Sequence, residues 1–127
     1  MTPQGTTSIA EMSTTLVTGG TGLVGSALKW AVANSPAVSE GQELGRWIFV
    51  GSFDGDLRHY NEAEALFRRH KPDQVIHLAA RVGGVYENSL RMADFLCDNL
   101  AIDQNVLRLC HEFKVCRQAT DYPVVQN

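Results

Sequence analysis

An α/β fold built on a parallel sheet is predicted by three observations. Short apolar runs recur at Thr14 to Thr18, Trp47 to Val50 and Gln74 to Ala80, the pattern of strands buried on both faces. Helical periodicity fills the segments that follow them. The first strand passes into the first helix through Thr18-Gly19-Gly20-Thr21-Gly22-Leu23-Val24-Gly25, a glycine-rich turn. Strand and helix alternating in this way begin a doubly wound parallel sheet, with right-handed crossovers and a ligand crevice at the carboxyl ends of the strands. The expected architecture is an incomplete Rossmann-type sheet, its N-terminal half only.

Taken in order, residues 1–12 are polar and read as a disordered leader. Residues 13–114 form the nucleotide-binding part, and residues 115–127 read as a divergent, irregular tail. In the glycine turn, Gly19 permits the chain to reverse, Gly22 permits close approach of a pyrophosphate to the backbone, and Gly25 lets the helix lie against the sheet. The unpaired N–H groups and positive dipole end of that helix suit a phosphate pair. Leu23 to Asn34 is the helix, with Leu23, Ala27, Leu28, Ala31 and Val32 at helical spacing. Ser35 to Arg46, containing Pro36 and glycines, reads as a loop. Asn61 to His70 is a short helix with Ala63, Leu66 and Phe67 on one face, ended by Pro72. The longest helix runs from Ser89 to Phe113. One stripe of it holds Phe95, Ile102, Val106, Leu109 and Phe113, and an adjacent stripe holds Leu96, Leu100, Leu107 and Cys110. That arc is wider than one sheet face requires, so the second stripe is expected to join two copies of the chain as a homodimer.

The bulk numbers exclude several classes. The chain has 127 residues, enough for one small core, and a net charge of −3 without a cluster of lysines or arginines that would call for nucleic acid or an anionic membrane. Arg68-Arg69-His70-Lys71 lies at a helix carboxyl end, where cations complement the dipole. Cys97, Cys110 and Cys116 fit no metal spacing and read as reduced thiols, so no metal is expected. The N-terminus lacks the basic and apolar regions of a signal peptide, and no apolar run is long enough to span a membrane; the expected location is cytoplasmic.

The turn has GxxGxxG spacing, and His77-Leu78-Ala79-Ala80 ends a later strand. Together these resemble the extended short-chain dehydrogenases/reductases, many of which act on sugar nucleotides. Ala80-Arg81-Val82-Gly83-Gly84-Val85-Tyr86-Glu87-Asn88, followed by Asp94-Phe95, Asn99 and Asn105-Val106-Leu107, more specifically resembles the GDP-L-fucose synthase family, which epimerises and reduces GDP-4-keto-6-deoxymannose to GDP-L-fucose. The resemblance spans Thr15 to about Lys114. It implies that Gly19, Thr21, Gly22, Leu23, Val24 and Gly25 hold the NADP(H) diphosphate. It also implies that Asp56 reaches the adenine amino group while Leu57 packs on the ring, and that Ala79 and Ala80 admit the cofactor's ribose. Arg81 and Val82 would flank the nicotinamide, and Gly83, Gly84 and Asn88 would face the nucleotide-sugar substrate. Capping of the following turn is the plainer alternative for Asp56. His77 reads as a buried strand histidine bonded to backbone rather than as a catalytic group. Gly51-Ser52-Phe53 places no acidic residue directly after the second strand, which favours NADP(H) over NAD(H). Phe53 stands where a base often helps hold the 2′-phosphate, leaving Ser52, Arg58 or Arg46 to do so.

No catalytic residue is assigned. Keto-sugar reduction in the resembled family uses a tyrosine acid with a lysine four residues on. Tyr60, Tyr86 and Tyr122 are instead followed at that interval by Glu64, Leu90 and Gln126. The family's epimerising cysteine is not carried onto Cys116. The expectation is therefore an N-terminal cofactor-binding part of such a synthase. The alternatives are a non-catalytic dinucleotide-binding or dimerising fragment, and part of another extended nucleotide-sugar epimerase or dehydratase.

Overall fold

The computed structural model describes residues 13–41, 45–80 and 92–120. Its elements are β1 (Thr14–Thr18), α1 (Leu23–Ala33), α2 (Pro36–Ser39), β2 (Arg46–Val50), α3 (Tyr60–His70), β3 (Gln74–His77), α4 (Met92–Glu112) and β4 (Arg117–Thr120). All strands are parallel, in the order β2-β1-β3-β4. Each step returns the chain through a helix, as parallel pairing requires.

Register sorts the side chains between the two faces. Leu16 aligns with Ile48 and Val75, and Val17 with Phe49 and Ile76. The Leu16 face carries the core: Leu16, Val50 and Val75 pack with Ala63, Leu66 and Phe67 of α3 and Ile102, Val106, Leu109 and Cys110 of α4. Phe67 and Phe113 meet with ring centroids 5.7 Å apart. The Val17 face is served by α1, whose Lys29 lies 6.0 Å from the Phe49 ring centroid. Lys71 ends α3 in the left-handed conformation (φ 45°), and the buried Pro72 follows.

Several expectations are corrected. Residues 115–127 were expected to be irregular, yet Arg117–Thr120 form a fourth strand in register with Gln74–His77. The turn before it is fastened by the Cys116 N–H donating to the Asp73 carbonyl at 2.9 Å. Backbone pairing with an open edge needs no apolar sequence, so Arg-Gln-Ala-Thr gave no strand signal. The loop expected over Ser35 to Arg46 contains α2, started by Ser35, whose hydroxyl accepts from the Ala37 N–H, and by Pro36 in the first turn. β2 was expected to be buried on both faces; it is an edge strand, with Trp47, Ile48 and Phe49 only half-buried. In α1 the periodic apolar residues are largely uncovered, and Gly25 alone is buried. Cys110, placed by periodicity on the outer stripe of α4, is 4% exposed and belongs to the core. Burial pushes its thiol up to about 12. Residues 1–12, 42–44, 81–91 and 121–127 lie outside the described residues, so the leader and the first residues of the long helix do too.

Candidate functional site

A cavity of about 600 Å³ opens at the carboxyl ends of β1, β2 and β3. That is the size and position at which a doubly wound sheet takes a ligand. Gly19, Thr21, Gly22, Leu23, Val24 and Gly25 form one wall, Ser52, Asp56 and Leu57 a second, and Ala79 and Ala80 a third. These are all the expected cofactor-side residues except Arg81, which with Val82, Gly83, Gly84 and Asn88 lies outside the described residues.

The glycine wall is shaped by backbone packing. Gly19 adopts φ 68°, and a Cβ there would stand 2.7 Å from the Ala79 nitrogen and the Leu78 carbonyl carbon, so the chain leaving β3 crosses directly over it. A Cβ on Gly25 would stand 2.5 Å from the Gly19 carbonyl oxygen and 2.6 Å from Gly20 Cα, which sets α1 tightly on its own turn. Gly22 is different. It is exposed, its Cβ would meet only the Gly19 oxygen at 3.3 Å, and its backbone N-caps α1 without a side-chain hydrogen bond. Uncapped first-turn N–H groups beside a bare glycine make a cradle for an anion such as a diphosphate.

The second wall is a folded loop. The Gly51 N–H donates to Asp54 Oδ2 at 2.8 Å, and the Asp54 N–H returns to the Gly51 carbonyl at 3.0 Å. Arg58 grips Asp56: its backbone N–H and Nε each donate to Oδ1 at 3.0 Å, and Nη2 to Oδ2 at 2.7 Å. The side-chain hydrogen bonds from Arg58 hold the Asp56 carboxyl down to about 2, so it is an ionised acceptor at neutral pH. Arg58 also lies 3.7 Å from Asp98 of α4. Asn105 of α4 donates to the Leu57 and Arg58 carbonyls at 2.9 and 3.1 Å. Of the groups considered for a 2′-phosphate, Ser52 and Arg58 line the cavity. Arg46 opens β2, at the end of the strand opposite Val50, and is excluded. Phe53 is fully exposed and outside the lining.

Sequence reasoning missed the polar groups behind the walls. His77 is bonded to side chains and not, as expected, to backbone: its Nδ1 lies 2.6 Å from Thr18 Oγ1 and its Nε2 2.9 Å from Asp103 Oδ1. Asp103 and Asn105 flank Ile102 and Val106 on the buried side of α4, and polar residues beside such a stripe signal internal partners. Tyr60 is not among the lining residues; its hydroxyl donates to Glu112, whose carboxylate raises it to about 12, and Arg108 stacks 4.6 Å from its ring centroid. Among the described residues no cluster of His, Cys, Asp or Glu could hold a metal, and no helix is long and apolar enough to cross a membrane.

The chain is similar to known proteins over most of its length. A probable GDP-L-fucose synthase of Drosophila melanogaster is 48% identical over 101 residues, covering 80% of this chain and 30% of that protein. GDP-L-fucose synthase of Dictyostelium discoideum is 38% identical over 111 residues, covering 87% of this chain and 33% of that one. The chain thus spans about a third of the length of these curated relatives. A GDP-L-fucose synthetase from Naegleria fowleri, solved bound to NADP, superposes with a TM-score of 0.72 at 35% identity, over 91% of this chain and 38% of that chain. Residues 15–119 match the NAD dependent epimerase/dehydratase family. With a match running from the first strand into the last around this cavity, the chain belongs to the NAD dependent epimerase/dehydratase family.

Proposed function

We propose that this chain is the N-terminal NADP(H)-binding part of a GDP-L-fucose synthase, cytoplasmic, and that these 127 residues bind the cofactor without turning over substrate. The observation that carries the reading is the cavity itself. Gly19 to Gly25, Ser52, Asp56, Leu57, Ala79 and Ala80, drawn from three separate turns, converge on it. The chain's residues fit the cofactor. The backbone N–H groups of the glycine turn receive the diphosphate, Leu57 offers an apolar surface to adenine, and the ionised Asp56 accepts from its amino group. The small side chains of Ala79 and Ala80 leave room for a ribose. Ser52 and Arg58, both in the lining, are the donors assigned to a 2′-phosphate, and no acidic residue directly follows β2 to claim a 2′-hydroxyl.

NADP(H), once bound, supplies or accepts a hydride. Proton donation to the keto oxygen, which typically contributes about 10²–10⁴-fold, needs an acid that this sequence does not provide. None of its tyrosines has a lysine four residues on, and Tyr60 is committed to Glu112. The test is to titrate the purified chain with NADPH and then supply GDP-4-keto-6-deoxymannose: binding without GDP-fucose formation is expected, and product above a no-protein blank would contradict the reading.

The same proposal includes a homodimer through α4. Leu96, Leu100 and Leu107 remain 58%, 59% and 41% exposed on one side of the helix. A stripe of that kind favours a partner. Sedimentation should give a dimer for the wild type and a monomer for Leu100→Glu combined with Leu107→Glu; a monomeric wild type would remove this part of the proposal.

A further inference from the structure

Behind the Ala79 wall lies a hydrogen-bonded chain, Ala79–Thr18–His77–Asp103, in which only Ala79 lines the cavity. Thr18 is fully buried and His77 is 3% exposed, at paired positions where β1 and β3 end. The Thr18 carbonyl accepts the Leu78 N–H at 3.1 Å, and Thr18 Oγ1 accepts the Ala79 N–H at 3.3 Å. Thr18 therefore extends the β1 to β3 pairing past the last strand residue, into the segment that crosses Gly19.

The directions of these bonds follow from counting protons. The Thr18 oxygen accepts from Ala79, and its O–H donates to His77 Nδ1 when the neutral ring keeps its one hydrogen at Nε2, against the Asp103 carboxylate, which can only accept. The other ring nitrogen, Nε2, then carries hydrogen and donates to the Asp103 carboxylate. Asp103 fixes the imidazole tautomer, the tautomer orients the Thr18 hydroxyl, and the hydroxyl's lone pair faces the Ala79 N–H. No buried side-chain nitrogen or oxygen among the described residues lacks a partner.

We propose that His77 and Asp103 are positioning residues of the nucleotide cavity: through Thr18 they let the α4 helix hold Ala79 at the height over Gly19 that admits the cofactor. The inference rests on the NADP(H) reading for its consequence, and on Ala79 for its physical content.

The experiment uses the whole chain and three readouts. Imidazole nitrogen shifts of the wild type should show His77 protonated at Nε2, with Nδ1 as acceptor; a proton on Nδ1 would overturn the proposal without any variant. Asp103→Ala should speed amide hydrogen exchange at Ala79 by about tenfold, the equivalent of one hydrogen bond, and weaken NADPH by a similar factor. Asp103→Asn, whose amide oxygen still accepts from Nε2, should stay within about threefold of wild type in both, as should Thr18→Ser, which keeps the hydroxyl. A merely structural role would move thermal stability but not separate Asp103→Asn from Asp103→Ala at Ala79. Equal Ala79 exchange in wild type and Asp103→Ala would overturn the proposal. If the wild type binds no NADPH while Ala79 exchange still responds, the cofactor reading falls and the positioning role stands.

Discussion

Two helices close over one face of this sheet, whereas among the described residues the other face is served by α1. On the first, Leu16 and Val75 are buried against Phe67, Val106 and Leu109. On the second, Val17 is buried but Trp47, Phe49 and Ile76 are only half covered, and Trp30 of α1 stands 69% exposed. Both α1 and α4 carry apolar residues at helical spacing. The difference lies in what orients them. α4 is fixed by side chains that interdigitate with the sheet and α3, while α1 is fixed at its N-terminus by Gly25 seated on Gly19 and Gly20. Helical periodicity reports a capacity to pack, and the amount of packing realised depends on the surface opposite. For α1 the contact that matters is made by backbone, and it aims the helix N-terminus at the cavity.

The comparison breaks most readily on stability. Leu109→Ala on the closed face should cost about 2–5 kcal/mol, since it empties a site with no exposure. Trp30→Ala should stay within about 0.5 kcal/mol, as at other exposed positions. Urea unfolding of both variants measures the contrast, and similar losses would mean that the α1 face is covered in solution.

Gly25→Ala tests the backbone seat of α1. An added methyl 2.5 Å from the Gly19 oxygen must push the helix off its turn, at a cost of about 1–3 kcal/mol. An unchanged midpoint would show that α1 is held by something other than this contact.

The smallest effect is expected at the loop that borders the closed face. Arg58→Ala removes the bonds that hold Asp56 near 2, so the carboxyl should rise toward 3.8 in a titration followed by NMR. Because the folded value lies below the unfolded one, the pair's contribution is complete above about pH 4 and is lost as pH falls toward 2. With the two side chains 36% and 31% exposed, solvent screens the pair and that contribution is small. An unmoved Asp56 would contradict the assigned cause.

The parallel sheet and the glycine wall were legible because they rest on local signals: continuous apolar runs, and glycines at spacing that backbone contact demands. Leu57, Ala79 and Ala80 were legible through the family resemblance that placed them. Three features were not. β4 is held by main-chain pairing, which leaves no mark on Arg117-Gln118-Ala119-Thr120. The exposure of Leu23 and Trp30 depends on what lies over α1, which periodicity does not encode. The Thr18, His77 and Asp103 chain joins residues 59 and 26 positions apart, a juxtaposition that exists only once β1, β3 and α4 are assembled.

The most direct measurement of the central claim is calorimetric titration of the chain with NADPH and NADH, beside Gly22→Val. Gly22 is the useful position because, among the described residues, a Cβ there meets one protein atom, the Gly19 oxygen at 3.3 Å, whereas a Cβ on Gly25 meets that oxygen at 2.5 Å and would displace α1. The account predicts NADPH binding tighter than NADH, and loss of both in a Gly22→Val variant that keeps the wild-type circular dichroism. NADH binding as well as NADPH, or undiminished binding in folded Gly22→Val, would contradict it.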